Sequence, residues 1–176
     1  MLNVKYFAYG SNIDIDRLKQ RVEGFGEPII RAGTPYVLQD YHLIFNASSS
    51  YSSAFWCFAN IIPRIGSSVE GILYDMTPEQ FTRLDRYEAL YEKHYFQIDR
   101  NTIACTYIAK SISHNIRSKP SLDYLNIIIE GCLASGLKRT YNELLQYKLQ
   151  NYKLKKSKHK LTIPYLGVTR VRNKLF

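Results

Sequence analysis

Cysteine is scarce in this chain: Cys57, Cys105 and Cys132 are the only three, and no two form a CxxC pair. An odd, scattered set argues against a disulfide framework and against a zinc knuckle, and it suits a reducing cytosol. The four histidines, His42, His94, His114 and His159, show no metal-ligand spacing. No metal is therefore expected. No apolar run approaches the ~18 residues a bilayer-spanning helix requires. Lys5 and the polar Ser11-Asn12 pair also interrupt any apolar core of a targeting segment near the N-terminus. The expectation is a cytoplasmic protein without a membrane span. Ser11 lacks the GxSxG context and an identifiable histidine partner, which argues against a serine hydrolase.

What is present is an ordinary globular composition, 45% hydrophobic and 22% charged over 176 residues, enough for one domain with a sizeable core. The net charge of +9 is unevenly spread. Lys148, Lys153, Lys155, Lys156, Lys158, Lys160, Arg170, Arg172 and Lys174 all fall near the C-terminus, so the body is far less basic than the average. The expected organisation is one domain over 1–150 followed by a basic extension over 151–176. The Lys153 to Lys160 run raises a nucleic-acid or anionic-membrane reading. It lacks an interleaved aromatic platform beyond Tyr152, so it reads as a solvated tail and nucleic acid is not the expected partner.

The local signals place strands first and helices later. After an opening strand, Asn12 or Asp14 is placed to cap a short helix from Asp14 to Arg21, which Gly24-Phe25-Gly26 ends. Ile29 to Leu38 and Tyr41 to Phe45 read as strands around a Gln39-Asp40 corner, and Ser48 to Ser53 as a loop. Phe55 to Ile62, closed by Pro63, and Val69 to Tyr74 read as two more. Thr77-Pro78-Glu79-Gln80 is a helix start with a Thr cap, Pro at the first position and a capping-box Gln. Tyr95 to Ile98 and Thr102 to Ala109 form a hairpin pattern. Leu122, Leu125, Ile128, Ile129 and Leu133 recur at helical spacing before Gly136, and a last helix covers Arg139 to Leu149. Regular β-α alternation is absent, so the pattern predicts an α+β fold with a mixed or barrel-like sheet.

Two segments carry the chemistry-bearing residues. Tyr6-Phe7-Ala8-Tyr9-Gly10-Ser11-Asn12 is a strand that breaks into a small-residue turn. Gly10 lets a ligand approach the backbone, whose N–H groups suit an anion or a polarised carbonyl. Leu84-Asp85-Arg86-Tyr87-Glu88-Ala89 ends the capped helix. The helix dipole and the neighbouring Asp85 both disfavour ionisation of Glu88, which moves it toward a useful range for a general base. Tyr6, Tyr9, Tyr87 and Tyr124 are candidates to line a polar pocket, with half-buried packing as the plainer reading.

The combination of YFAYGSN, then Ala59 to Pro63 with Gly66 to Tyr74, then Leu84 to Glu88, and then Tyr124 to Cys132 with Gly136-Leu137, resembles the γ-glutamylcyclotransferase family, also called AIG2-like, over about residues 4 to 150. The resemblance implies a mixed sheet with a β-barrel-like centre and flanking helices, and a pocket between the first loop and a carboxylate. It implies cyclisation of a γ-glutamyl group to 5-oxoproline without metal or cofactor. By position it makes Glu88 the catalytic glutamate, Tyr6, Phe7, Ala8, Tyr9, Gly10 and Ser11 the substrate-cradling loop, and Tyr124 a substrate-contacting tyrosine. The expected partner is a small γ-glutamyl substrate, with a homodimer left open. An alternative is a small-molecule-binding protein that keeps the fold without the activity. Two positions depart from the family pattern: Ala89 stands where Gly is usual, and Lys138 where Pro often follows Gly-Leu. A positive φ at Ala89 would strain the turn and displace Glu88.

Overall fold

The apolar run Tyr6-Phe7-Ala8 ends strand β1 (Asn3–Ala8), and every one of its side chains is buried because this strand is the middle of the sheet. The computed structural model describes residues 3–24, 31–48, 56–112 and 119–152. Around β1 lie β2 (Thr34–Ala47), β3 (Phe58–Asp75), β4 (Tyr91–Gln97) and β5 (Thr102–Ala109), in the order β2-β3-β1-β5-β4. β1 is antiparallel to β3 and parallel to β5, so the sheet is mixed. Its helices are α1 (Ile15–Val22), α2 (Pro78–Tyr87), α3 (Leu122–Ala134) and α4 (Lys138–Asn151). This is the α+β architecture with a mixed sheet that the sequence predicts. Among the described residues the sheet is open, with β2 and β4 as its edges.

The topology gathers one end of the sheet. β5 runs with β1 and β4 runs against β5, so the C-terminal end of β1 and the N-terminal end of β4 emerge on the same side. Glu88, at the C-terminal cap of α2 just before β4, is thereby brought to the turn that follows β1. That turn is a short 3₁₀ segment, Ser11–Ile13, closed by an Ile13 N–H to Gly10 carbonyl bond of 3.0 Å. α3 packs against it at Gly131, where a Cβ would lie 2.9 Å from the Asp14 backbone nitrogen. Only a residue without a side chain lets the helix press on the turn this closely.

Several expectations are met through identified caps. Asp14 Oδ1 accepts from the Arg17 N–H at 2.7 Å and starts α1. Thr77 and Gln80 form the reciprocal capping box of α2 at 3.2 and 2.9 Å. Ser121 Oγ accepts from the Tyr124 N–H at 3.2 Å and starts α3. α4 has no cap of its own, and Glu70 of β3 supplies one, accepting from the Thr140 N–H at 2.8 Å. Such caps are each worth about 1 kcal/mol.

Other expectations change. Tyr41 to Phe45 is not a separate strand: β2 is continuous through it, and the Gln39-Asp40 corner is a bulge. Asp40 adopts φ 60, which Asp tolerates, and residues 64–67 of β3 lie opposite it, with the Gly66 N–H donating to Asp40 Oδ1 at 2.9 Å. Pro63 likewise does not end its strand. β1 pairs only with Ile72 to Asp75 of β3, so on that flank Pro63 has no ladder bond to supply. The hairpin pattern at Tyr95 starts earlier, at Tyr91. The start of the Ile29 strand, most of the Ser48 to Ser53 loop, the stop at Phe25-Gly26 and the basic extension beyond Tyr152 lie outside the described residues. No helix among the described residues is long and apolar enough to cross a membrane.

Candidate active site

A cavity of about 220 Å³ opens at the gathered end of the sheet. The strand and the turn after it contribute Tyr6, Tyr9, Gly10, Ser11 and Asn12, α1 contributes Arg17 and Arg21, and the end of α2 contributes Tyr87 and Glu88. Phe58, Ala59, Leu90, Tyr91, Tyr107 and Tyr124 complete the wall. The structure therefore brings together Glu88, Tyr6, Tyr9, Gly10, Ser11 and Tyr124 from the residues the sequence singles out. Two are placed elsewhere. Phe7 and Ala8 do not line the cavity; Phe7 is wholly buried against the rings of Tyr9, Tyr36 and Phe96, because alternate residues of a strand face opposite sides.

Glu88 retains only 11% of its side-chain exposure. Its Oε1 accepts from Asn12 Nδ2 at 3.0 Å and lies 3.5 Å from an Arg21 guanidinium nitrogen. No described residue donates to Oε2. Burial pushes the carboxyl above the ordinary carboxylate range and outweighs the opposing pull of Arg21, Asn12 and Arg17. This revises the expected cause. Asp85 makes only the smallest of these contributions, and its carboxylate turns away to Lys93 at 2.8 Å and to the Tyr107 hydroxyl at 2.7 Å.

Asn12 is the hub of the site. It donates from one nitrogen to both Glu88 and the Tyr6 hydroxyl, at 3.0 and 2.9 Å, and accepts from Arg21 at 2.9 Å through its oxygen. Arginine has only donors and an ionised carboxylate only acceptors, so these partners fix which way the amide points. Arg17 donates through Nε to Ser11 Oγ at 3.2 Å. Arg21 also stacks over the Tyr87 ring, 5.2 Å from its centroid. The sequence places Asn12 in the turn without giving it a role of its own, and it does not single out Arg17 or Arg21. The signal for the arginines is their i, i+4 spacing, one turn apart on the helix that directly follows the Gly-Ser-Asn turn.

The tyrosines form a neutral polar wall. Burial raises the hydroxyls of Tyr6, Tyr9 and Tyr91, and pushes Tyr124 up to about 12. Tyr124 accepts from the Ala59 N–H at 3.2 Å, Tyr91 donates to the Ala59 carbonyl at 2.8 Å, and Tyr9 donates to the Tyr107 carbonyl. Gly10 lies under this wall: a Cβ there would stand 3.3 Å from the Ala59 Cβ and 3.5 Å from the Tyr124 hydroxyl. Among the described residues, no acceptor takes the backbone N–H of Gly10 or Ser11. The site thus offers a buried carboxyl group, free backbone donors, two guanidinium groups and no cluster of His, Cys, Asp and Glu suited to a metal among the described residues. Ala89 has no positive φ, since Asp40 is the only described non-glycine residue that does, so the departure from glycine strains nothing.

Comparison with known proteins bears on the fold and the family. A model of the AIG2-like family matches residues 68–145. No curated protein matches the chain. Among solved structures, a γ-glutamyl cyclotransferase is similar at TM-score 0.66 and 25% identity, over 90% of this chain and 92% of that one. An uncharacterized protein from Homo sapiens is similar at TM-score 0.64 and 24% identity, over 91% of this chain and 94% of its own. YkqA from Bacillus subtilis shares the fold at TM-score 0.57 and 22% identity, over 80% of this chain and 54% of its own.

Proposed function

We propose that this chain, which matches the AIG2-like family over residues 68–145 and is similar in fold to a γ-glutamyl cyclotransferase, cyclises the γ-glutamyl group of γ-glutamyl amino acids or amides to 5-oxoproline. The observation that carries the reading is the shared cavity of Glu88 and the Gly10-Ser11 turn. A γ-glutamyl compound brings its own nucleophile, an α-amine that is inert while protonated. Glu88 takes that proton through Oε2. The freed amine attacks the γ-carbonyl carbon, forming the ring C–N bond, and the intramolecular geometry removes much of the barrier.

The oxyanion that develops needs donors, and the unpaired N–H groups of Gly10 and Ser11 supply them, each such donor being worth about 3 kcal/mol in the transition state. Breakdown then cleaves the original amide C–N bond: Glu88 returns its proton to the departing nitrogen, and the ring nitrogen gives up its second proton as the lactam forms, so that the released amine leaves as an ammonium. One carboxyl group serves both transfers, and burial of Glu88 brings its proton affinity closer to the working pH of such a catalyst. The raised tyrosine hydroxyls stay protonated and hold the substrate by neutral hydrogen bonds. Arg17 and Arg21 balance the carboxylates that Glu88 and the substrate bring together.

The test is to incubate the purified protein with a panel of γ-glutamyl amino acids and γ-glutamylamines and to separate the products by chromatography. Release of 5-oxoproline from at least one member is expected, and the panel ranks the leaving groups. No turnover of any γ-glutamyl amide would overturn the reading.

A further inference from the structure

We propose that Arg21, acting through Asn12, is a positioning residue that commits one oxygen of Glu88 to the protein and leaves the other as the single proton-exchanging atom. The inference rests on the role proposed for Glu88. The contacts that hold the carboxylate fall on Oε1: the Asn12 amide at 3.0 Å and the Arg21 guanidinium at 3.5 Å. Oε2 has no donor among the described residues, while Glu88 itself lines the cavity. Asn12 presents its donor to Glu88 because Arg21 occupies its oxygen at 2.9 Å, and a flipped amide would set Arg21 against an NH₂ group and the carboxylate against a carbonyl. The guanidinium also lies over the Tyr87 ring, 5.2 Å from its centroid. Arg17, one helical turn away, makes no such contact with Glu88; it holds Ser11 instead. The two arginines thus divide the work, Arg21 on the base and Arg17 on the turn.

The groups that act on Glu88 come from every wall. Arg17 and Arg21 of α1 and Asn12 hold it ionised, while burial and Asp85 of α2 oppose them. Tyr6, Tyr91 and Tyr124 from β1, β4 and α3 are neutral and feel its charge. Removing Arg21 leaves burial less opposed, so the carboxyl binds its proton more tightly and also loses its fixed orientation.

The experiment compares wild type, Arg21→Met, Arg21→Lys and Asn12→Ala with γ-glutamyl-alanine across pH, with circular dichroism to verify folding. Methionine keeps an apolar stem against Tyr87 without the charge. Arg21→Met is expected to lower kcat by about tenfold or more with little change in KM, as misorientation of a reacting group does. The acid limb of its kcat/KM profile is expected to move to higher pH, and Arg21→Lys to move it back. Asn12→Ala is expected to lower kcat similarly. A loss confined to KM with an unmoved acid limb would overturn the proposal and make Arg21 a substrate contact. Carbon-13 NMR titration of Glu88 in wild type and Arg21→Met reads the same clamp without turnover. An upward move in the variant supports the clamp even if no γ-glutamyl compound is processed, and an unmoved titration overturns it.

Discussion

Asn12 and Glu88, 76 residues apart in the chain, meet at 3.0 Å through Nδ2 and Oε1. This contact joins the turn after the central strand to the end of α2, the two segments that carry the proposed chemistry. It exists because β1 and β5 are parallel and β4 reverses, which delivers both chain segments to the same end of the sheet.

Glu88→Gln separates catalysis from stability. On the proposed mechanism the variant loses a factor of about 10² to 10⁴ in kcat/KM. Its stability should rise at neutral pH. The folded-state carboxyl binds its proton more tightly than the unfolded one, so ionising it on the way to neutral pH costs folding free energy. Below the unfolded pKa both states are protonated and that cost vanishes. Thermal unfolding should therefore show the variant melting above wild type at pH 7 and the gap closing in acid. A variant that melts lower at every pH would contradict the burial argument.

Two glycine substitutions should fail in different ways. In Gly10→Ala the new methyl projects toward Ala59 and the Tyr124 hydroxyl at 3.3 and 3.5 Å, inside the cavity. Turnover should fall about tenfold or more while stability changes by less than about 1 kcal/mol. In Gly131→Ala the methyl meets the backbone of Asp14 and Ile13 at 2.9 and 3.2 Å. That clash is with main chain and should cost about 1 to 3 kcal/mol, read by denaturant unfolding, and displace the turn as well.

Ala89→Gly tests whether the departure from the family pattern matters. Ala89 has no positive φ, so glycine relieves no strain. kcat/KM should stay within about twofold of wild type, and stability should drop by about 0.5 to 1 kcal/mol through the freer unfolded chain. A large gain in activity would mean that the turn is strained after all.

Asp85→Asn should leave the pH profile in place. Asp85 is spent on Lys93 and Tyr107, and its part in raising Glu88 is the smallest of those that act on it. The exposed ion pair is worth less than about 1 kcal/mol. An acid limb that moves markedly in this variant would restore Asp85 as the partner that tunes the base.

The local elements were legible because their signals are local. Thr77, Pro78 and Gln80 spell the start of α2 in four consecutive residues, and Leu125, Ile128 and Ile129 of the apolar pattern form a buried face on α3, although Leu133 of the same pattern is exposed. Strand ends were less legible. Pro63 reads as a stop until the sheet order shows that β1 asks nothing of it, and Asp40 reads as a corner until Gly66 is seen to cap its bulge. The site was half legible. Glu88 and the Gly10-Ser11 turn carry recognisable chemistry in sequence, whereas Asn12 reads as a candidate helix cap and Arg21 only as the last residue of a short helix. Their roles arise only from tertiary contact, since nothing in the local sequence of α1 states that α2 ends beside it.

The most direct measurement is product analysis after incubating γ-glutamyl-alanine with the wild-type protein and with Glu88→Gln. The account predicts 5-oxoproline and alanine in equal amounts from the wild type and almost none from the variant. Equal turnover by both proteins, or alanine released with glutamate in place of 5-oxoproline, would contradict it.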